Sequence, residues 1–402
     1  MLPLVFLVMI FLLIMLLLGL KRPLYQAMLG GILSTVLLFQ IAPSNWWKLT
    51  SSVFMDWGSF SILVSLYLIT YLQRILEEKQ QIKKAEQDLD DIFHNRRVNT
   101  MVAPLFIGLL PSAAAMLLCG DIVKSTTDGY IDRKDQTFLT TWIHHIPEAF
   151  LPTYPAVLLM STLSGVPIAE FMLAMLPIIA FLLTVVYWKY IRRIPKEPNT
   201  PKSHHPWKAV GQLFKHLWTL ILMLVLIIAF GFGVVPATLI TIMLAVVIYR
   251  LSLKQIVSFV KTAFEGKLIG NMFLVLVFKA FLDSTGVLAS LPKLLQGLPI
   301  PSFLIFVLLF FLGGIVSGAS GIIALGTPIA FAAIPDGGVA LMVLLMAATH
   351  AASQVSPTHV CLTVATEYYN TSLMRLMRKT LPYSLATIGF ALVYYLVLGV
   401  VV

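Results

Sequence analysis

The sequence predicts an all-α polytopic membrane protein made of two inverted five-span repeats, each with a re-entrant hairpin followed by a broken helix. Three observations predict it. The 402 residues are 59% hydrophobic and 11% charged, with a mean hydropathy of +0.91, whereas soluble domains carry about 25% charged residues. The apolar stretch from Phe311 to Thr358 is interrupted by Gly313-Gly314-Ile315-Val316-Ser317-Gly318-Ala319-Ser320-Gly321 and again by Ser353-Gln354-Val355-Ser356-Pro357-Thr358-His359. Glycine and proline there leave backbone groups unpaired, which a bilayer tolerates only inside protein or along a cavity, the pattern of a transporter site. Finally, Phe106, Gly108, Ser112, His145, Pro152 and Thr153 recur 205 positions later as Phe311, Gly313, Ser317, His350, Pro357 and Thr358. Six identities in one register, at the polar clusters of an apolar chain, argue for an internal duplication.

Residues 3–20 and 24–42 form two spans joined by Lys21-Arg22-Pro23, a basic turn expected on the cytoplasmic side. Residues 1–20 lack a basic n-region and a cleavage site, so they read as a retained span. Asn45-Trp46-Trp47-Lys48 reads as an interfacial belt, and a third span covers 57–75. The charged stretch Glu77 to Arg97 carries Ile82, Ala85, Leu89, Ile92 and Phe93 at helical spacing, as an amphipathic cytoplasmic connector would. The first interrupted pair, 101–119 and 136–165, flanks the polar Asp121 to Asp135. A span at 167–190 ends in Arg192-Arg193. The second half repeats the plan, with spans near 209–228, 230–249 and 268–282, interrupted runs at 302–325 and 338–368, and a last span at 381–402. The units are therefore a first repeat, 1–193, a Pro-rich cytoplasmic linker, 194–208, and a second repeat, 209–402.

Charge decides how 101–119 sits. As an ordinary span it would put the basic loops 79–97 and 192–208 on opposite faces. As a hairpin it gathers loops 21–22, 79–97, 124–134, 192–208, 250–261 and 375–379 on one face, leaving essentially Lys48 and Lys293 on the other. Ten spans and two hairpins follow, with both termini outside and an odd number of crossings per half, so the second repeat is inverted. The net charge of +10 is thereby a topology signal, and no nucleic-acid partner is implied. Two cysteines, Cys119 and Cys361, support neither a disulfide framework nor a Cys-based metal site.

Hairpin tips and helix breaks meeting at mid-membrane would offer free helix N-termini and small hydroxyls, which suit a carboxylate or phosphate. The substrate-binding candidates are Ser112, Thr153, Ser317, Gly318, Ser320, Ser356 and Thr358, with Ala113 to Ala115 allowing close backbone approach. Each hydroxyl taken alone could instead bond its own helix; the repeated clustering favours a site. Ionisable residues within the spans are His144, His145, Glu148, His350, His359, Glu367, Lys279 and Asp283. Each would cost roughly 2.5–3.5 kcal/mol if charged at a lipid-facing helix centre, so they should face inward. His145, Glu148, His350 and His359 are the proton-coupling candidates, because histidine changes charge near neutral pH; the alternative is a neutral histidine packing two helices. Glu148 has no mate in the other half, where position 353 is serine, and Lys279 with Asp283 reads as an i,i+4 ion pair. His144-His145-x-x-Glu148 is not a zincin motif, and Pro147 disturbs the helix that such motifs need, so neither metal nor cofactor is expected.

This layout resembles the ion transporter superfamily of secondary carriers. Within it the chain is most similar to a prokaryotic membrane family, a domain of unknown function, related to gluconate permeases. The arsenite, citrate, dicarboxylate and TRAP large-subunit carriers are more distant. The resemblance covers nearly the whole chain and rests on layout more than on shared motifs. It maps the hairpin tips to Ser112 and to Ser317-Gly318-Ala319-Ser320, and the breaks to Pro152-Thr153 and Ser356-Pro357-Thr358. It implies a scaffold of the first three spans of each repeat, a moving unit of hairpins and broken helices, and a homodimer through the scaffold. Neither hairpin carries the Ser-Asn-Thr triplet of the sodium-coupled dicarboxylate carriers, so protons are expected over sodium. The expected function is a proton-coupled, elevator-type carrier of a small organic anion (a gluconate-like sugar acid, hydroxy acid or carboxylate) in a prokaryotic plasma membrane, not an enzyme. A cation/proton antiporter would want carboxylates at the breaks, and only Glu148 is near one. An intramembrane enzyme or lipid-binding protein would not need a duplicated site.

Overall fold

The computed structural model describes residues 2–81, 83–85, 88, 95–108, 113–196, 206–295 and 299–401. These form α1 (Leu2–Gly19), α2 (Leu24–Leu38), α3 (Pro43–Met55), α4 (Trp57–Glu78), α5 (Arg96–Ile107), α6 (Ala113–Thr127), α7 (Arg133–His144), α8 (Pro155–Ser164), α9 (Ile168–Ala174) and α10 (Leu176–Lys189) in the first half. The second half holds α11 (Pro206–Ile228), α12 (Val234–Ile248), α13 (Leu253–Thr262), α14 (Gly266–Ser284), α15 (Leu291–Leu295), α16 (Ser302–Ala333), α17 (Gly338–Ser353), α18 (Val360–Tyr368) and α19 (Leu373–Val401).

Seven described stretches are long and apolar enough to cross a membrane: Leu2–Gly19, Trp57–Glu78, Ile168–Arg193, Lys208–Ile228, Ser302–Ala333, Pro335–Ser353 and Leu373–Leu398. An eighth arises if Gly266–Ser284 and Val287–Lys293, bent by 62°, count as one. α2 and α12 have 15 residues each, about 22 Å of helix against a hydrocarbon core of about 30 Å.

Local chemistry sets the boundaries. Asp56 caps α4 by accepting from the Ser59 backbone N–H at 2.7 Å, and Ser252 with Gln255 forms a capping box on α13. Two expectations are corrected. Residues 250–261, read as loop, hold most of α13, a short helix that sets polar residues beside apolar ones, while the belt residues 45–48 lie on α3 with Trp46 and Trp47 exposed. The last helix begins at Leu373, not near 381, because the basic residues Arg375, Arg378 and Lys379 that look like a loop occupy its first turns while Leu376 and Thr380 turn inward. Of the connector stripe, Ala85 is buried; Ile82, Leu89, Ile92 and Phe93 lie outside the described residues.

Element bounds carry the offset of the sequence. α7, α8 and α9 begin at 133, 155 and 168; α17, α18 and α19 begin 205 positions later, at 338, 360 and 373. Packing between the halves is reciprocal. α2 packs on α14 and α4 on α12, while α16 packs on α8 and α6 on α18.

Candidate functional site

α16 is a hairpin, not one straight helix. A Cβ on Gly313 would lie 2.5 Å from Ile322 Cδ1, and one on Gly326 2.5 Å from Phe310 Cε2. Residues nine and sixteen apart cannot touch along a continuous helix, where they are separated by about 13 and 24 Å. The chain therefore reverses at Gly318, whose φ of 74° and ψ of 169° are accessible essentially to glycine alone. In the first half α5 and α6 also run antiparallel, with Thr100 Oγ1 donating to Thr126 Oγ1 at 2.9 Å. The connecting residues 109–112, Ser112 among them, lie outside the described residues.

Each hairpin is fixed to the break of its own half. A Cβ on Gly108 would lie 2.3 Å from the His144 carbonyl oxygen, and one on Gly314 2.8 Å from Ala352 Cβ. α7 ends at His144, a 3-10 turn covers Pro147–Ala149, and α8 restarts with Pro155 in its first turn. α17 ends at Ser353, and α18 restarts at Val360 after Pro357. Hydroxyls close both junctions: Tyr154 donates to Gly108 O at 2.5 Å, and Ser356 donates to Ile315 O at 2.8 Å. These bonds satisfy carbonyls that the interrupted helices leave free.

The two breaks meet. His145 Nε2 lies 2.9 Å from His359 Nε2, and His359 Nε2 lies 3.9 Å from Glu148 Oε2. Cys119 Sγ, from α6, is 3.3 Å from His144 Nδ1. The ligand-type atoms of His145, Glu148 and His359 all lie within 4.8 Å of one another, as do those of His144, His145 and Cys361. His350 sits one turn before the second break, with its Nε2 3.4 Å from the Gln354 amide nitrogen. Beside this cluster is a cavity of ≈ 10 Å³, bordered by Glu148, Ala156, Ala319, Thr349, His350 and Ser353. That is room for about one water, far below the roughly 300–1,000 Å³ of a drug-sized ligand site. A wider crevice, ≈ 220 Å³, opens between α4, α8 and the start of α12. It borders Ser61, Ser65, Ser161 and Thr162 and, among the described residues, no ionisable side chain. The small cavity is where charge and helix breaks coincide.

Of the residues predicted from sequence, Glu148 and His350 border the small cavity and His145 and His359 pair beside it. Thr153 is buried in the first break. Ser317 donates to Gly313 O at 2.8 Å and approaches Gly318 O at 3.3 Å, so its hydroxyl is turned onto its own chain. Ser356 and Thr358 bond each other at 2.9 Å. Gly318 forms the tip with Ala319 and Ser320 beside it, and a Cβ on Gly318 would meet nothing within 4 Å. Sequence reasoning passed over Tyr154, Gln354, Cys119 and Cys361 as site residues. Tyr154 lies 205 positions before His359, but a comparison by identities skips a tyrosine matched with a histidine.

These features define a polytopic α-helical membrane protein whose helices break where its two halves meet. Over residues 3–401 the chain matches the family described as "Protein of unknown function (DUF401)", and it belongs to that family. Among curated proteins no match is found. The fold is similar to that of the YdaH transporter of Alcanivorax borkumensis, with a TM-score of 0.61 and 14% identity, covering 89% of this chain and 90% of that one. It is also similar to MtrF of Neisseria gonorrhoeae, described within a class of antimetabolite efflux pumps. There the TM-score is 0.60 and the identity 13%, covering 87% of this chain and 83% of that one.

Proposed function

We propose that the protein is a secondary active transporter of a small organic anion, a sugar acid, hydroxy acid or carboxylate, working by elevator-type alternating access in a prokaryotic plasma membrane. The observation that carries this reading is that the second hairpin tip, at Ala319, and the first break, at Glu148, border one small cavity with the start of α8, at Ala156, so that tip and break from different halves meet. A helix restarting at a break presents unpaired N–H groups and a partial positive charge, which suit a carboxylate. The reciprocal packing and the shared 205-residue offset support two inverted repeats of the ion transporter superfamily plan. The crevice between α4, α8 and α12 follows the seam along which hairpins and breaks would move against a dimeric scaffold of α1–α4 and α11–α14. His350, on the cavity wall, is the group we assign to the coupled proton.

The test is uptake by proteoliposomes of labelled gluconate, lactate, citrate and succinate under an imposed proton gradient. Accumulation of at least one that collapses with a protonophore is expected; none accumulating in either direction would remove the anion reading. Export is the second reading, favoured by the fold shared with MtrF, and inside-out vesicles distinguish it.

A further inference from the structure

We propose that His145, Glu148 and His359 form a binding site for a divalent transition-metal ion of the zinc class, bridging the helix breaks of the two halves. This inference goes beyond the transport reading and does not rest on it. Two ligands of one zinc-class ion, each at about 2.0–2.2 Å, are at most about 4.3 Å apart. The observed 2.9 Å between the imidazole Nε2 atoms and 3.9 Å from His359 Nε2 to Glu148 Oε2 both fall inside that limit.

The two rings face each other through their Nε2 atoms, with ring centres 4.6 Å apart and planes at 79°, and a Glu148 carboxylate oxygen lies within 4.8 Å of both nitrogens.

The surroundings suit a ligand histidine. His145 is 3% exposed and Gln354 1%, and among the described residues neither His145 Nδ1 nor Gln354 Oε1 has a hydrogen-bond partner. Two imidazoles and one carboxylate, with His144 and Cys361 offering further atoms beside His145, select zinc, cobalt or nickel over the oxygen-seeking magnesium, calcium and sodium. Ligand-type side chains inside a membrane span are scarce unless they serve a site.

The probe is Co²⁺ added to the purified, chelator-stripped full chain, read by its visible d–d bands and by X-ray absorption. One Co²⁺ per chain, with two imidazole nitrogens in its shell and displaced by Zn²⁺, is expected. His359→Gln and Glu148→Gln should each weaken binding by more than the roughly 10- to 100-fold that outer-shell partners cost. His216→Gln, at the remote contact of His216 with Asp88, should leave it unchanged. Absence of stoichiometric binding by the unaltered chain, a shell without imidazole, or equal affinity in all three variants would overturn the proposal. The unaltered chain is decisive even if a variant fails to fold. Vesicle uptake of organic anions is scored separately, so either conclusion can fail alone.

Discussion

His145 and His359 touch through their Nε2 atoms at 2.9 Å although 214 residues separate them. One belongs to the break after α7 and the other to the break before α18, so this contact joins the halves where both helices are interrupted. Residues in direct contact should not act additively. His145→Ala and His359→Ala should each lower the thermal unfolding midpoint in detergent, and the double variant should fall short of their sum by about 0.5–3 kcal/mol. Strict additivity would mean that the contact carries no energy.

Gly108 is a second fixed point. An added Cβ would lie 2.3 Å from a backbone oxygen and 3.1 Å from Pro147 Cγ, and backbone at a helix end has little room to yield. Gly108→Ala should destabilise by about 1–3 kcal/mol, the usual effect of overpacking. Gly211→Ala, in α11 with nothing within 4 Å, should be neutral or stabilising by up to about 1 kcal/mol, through helix propensity. Thermal shift of both variants checks the contrast, and equal effects would count against the tight junction of α5 with α7.

How much of this was legible follows from what each residue does. Gly318 announces a reversal because few other residues tolerate its conformation, and Pro152 and Pro357 announce breaks because each lacks an N–H. The 205-residue offset was readable because the identities fall on those constrained positions. α3 and α13 were not, since a short surface helix and a polar loop share a composition. The meeting of His145 with His359 was also hidden. The offset pairs His145 with His350 and says nothing of which residues cross between the halves. Ser317 shows the converse: its position at a tip was readable, but the rotamer that turns its hydroxyl onto Gly313 O is decided by local geometry.

Ser356 and Ser317 should therefore part company. Ser356 supplies the hydrogen bond received by Ile315 O, and losing it strands a carbonyl beside the hairpin tip. Ser356→Ala should cost about 1–3 kcal/mol and raise the apparent KM for transport. Ser317→Ala removes a bond back to its own helix and should change stability by about 0.5 kcal/mol or less. Transport kinetics with thermal shift decide between them; a larger effect at Ser317 would mean that its hydroxyl leaves Gly313 O to meet the cargo.

Orientation is open to direct measurement. Single cysteines at Lys84 and Lys202, in a background with Cys119 and Cys361 replaced, should both react with a membrane-impermeant maleimide only from the cytoplasmic side. Labelling of the two from opposite faces would require one of the α5–α6 arms to cross the membrane, and would put both halves in the same orientation.

His350 tests the coupling. It lies on the cavity wall one turn before the second break, faces Glu148 across the cavity and the Trp142 ring edge-on at 6.4 Å, and accepts from the Gln354 amide at 3.4 Å in the amide orientation assigned to the structure. Glutamine at 350 keeps the size and hydrogen-bonding capacity of the site but cannot take up a proton. If His350 carries the coupled proton, His350→Gln should lose accumulation driven by a proton gradient. It should keep substrate-for-substrate exchange, which moves no net proton. Proteoliposomes measure both in one preparation. Loss of both would report damage to the cargo site, while gradient-driven accumulation as strong as in the unaltered protein would leave His350 as a residue that packs the two breaks together.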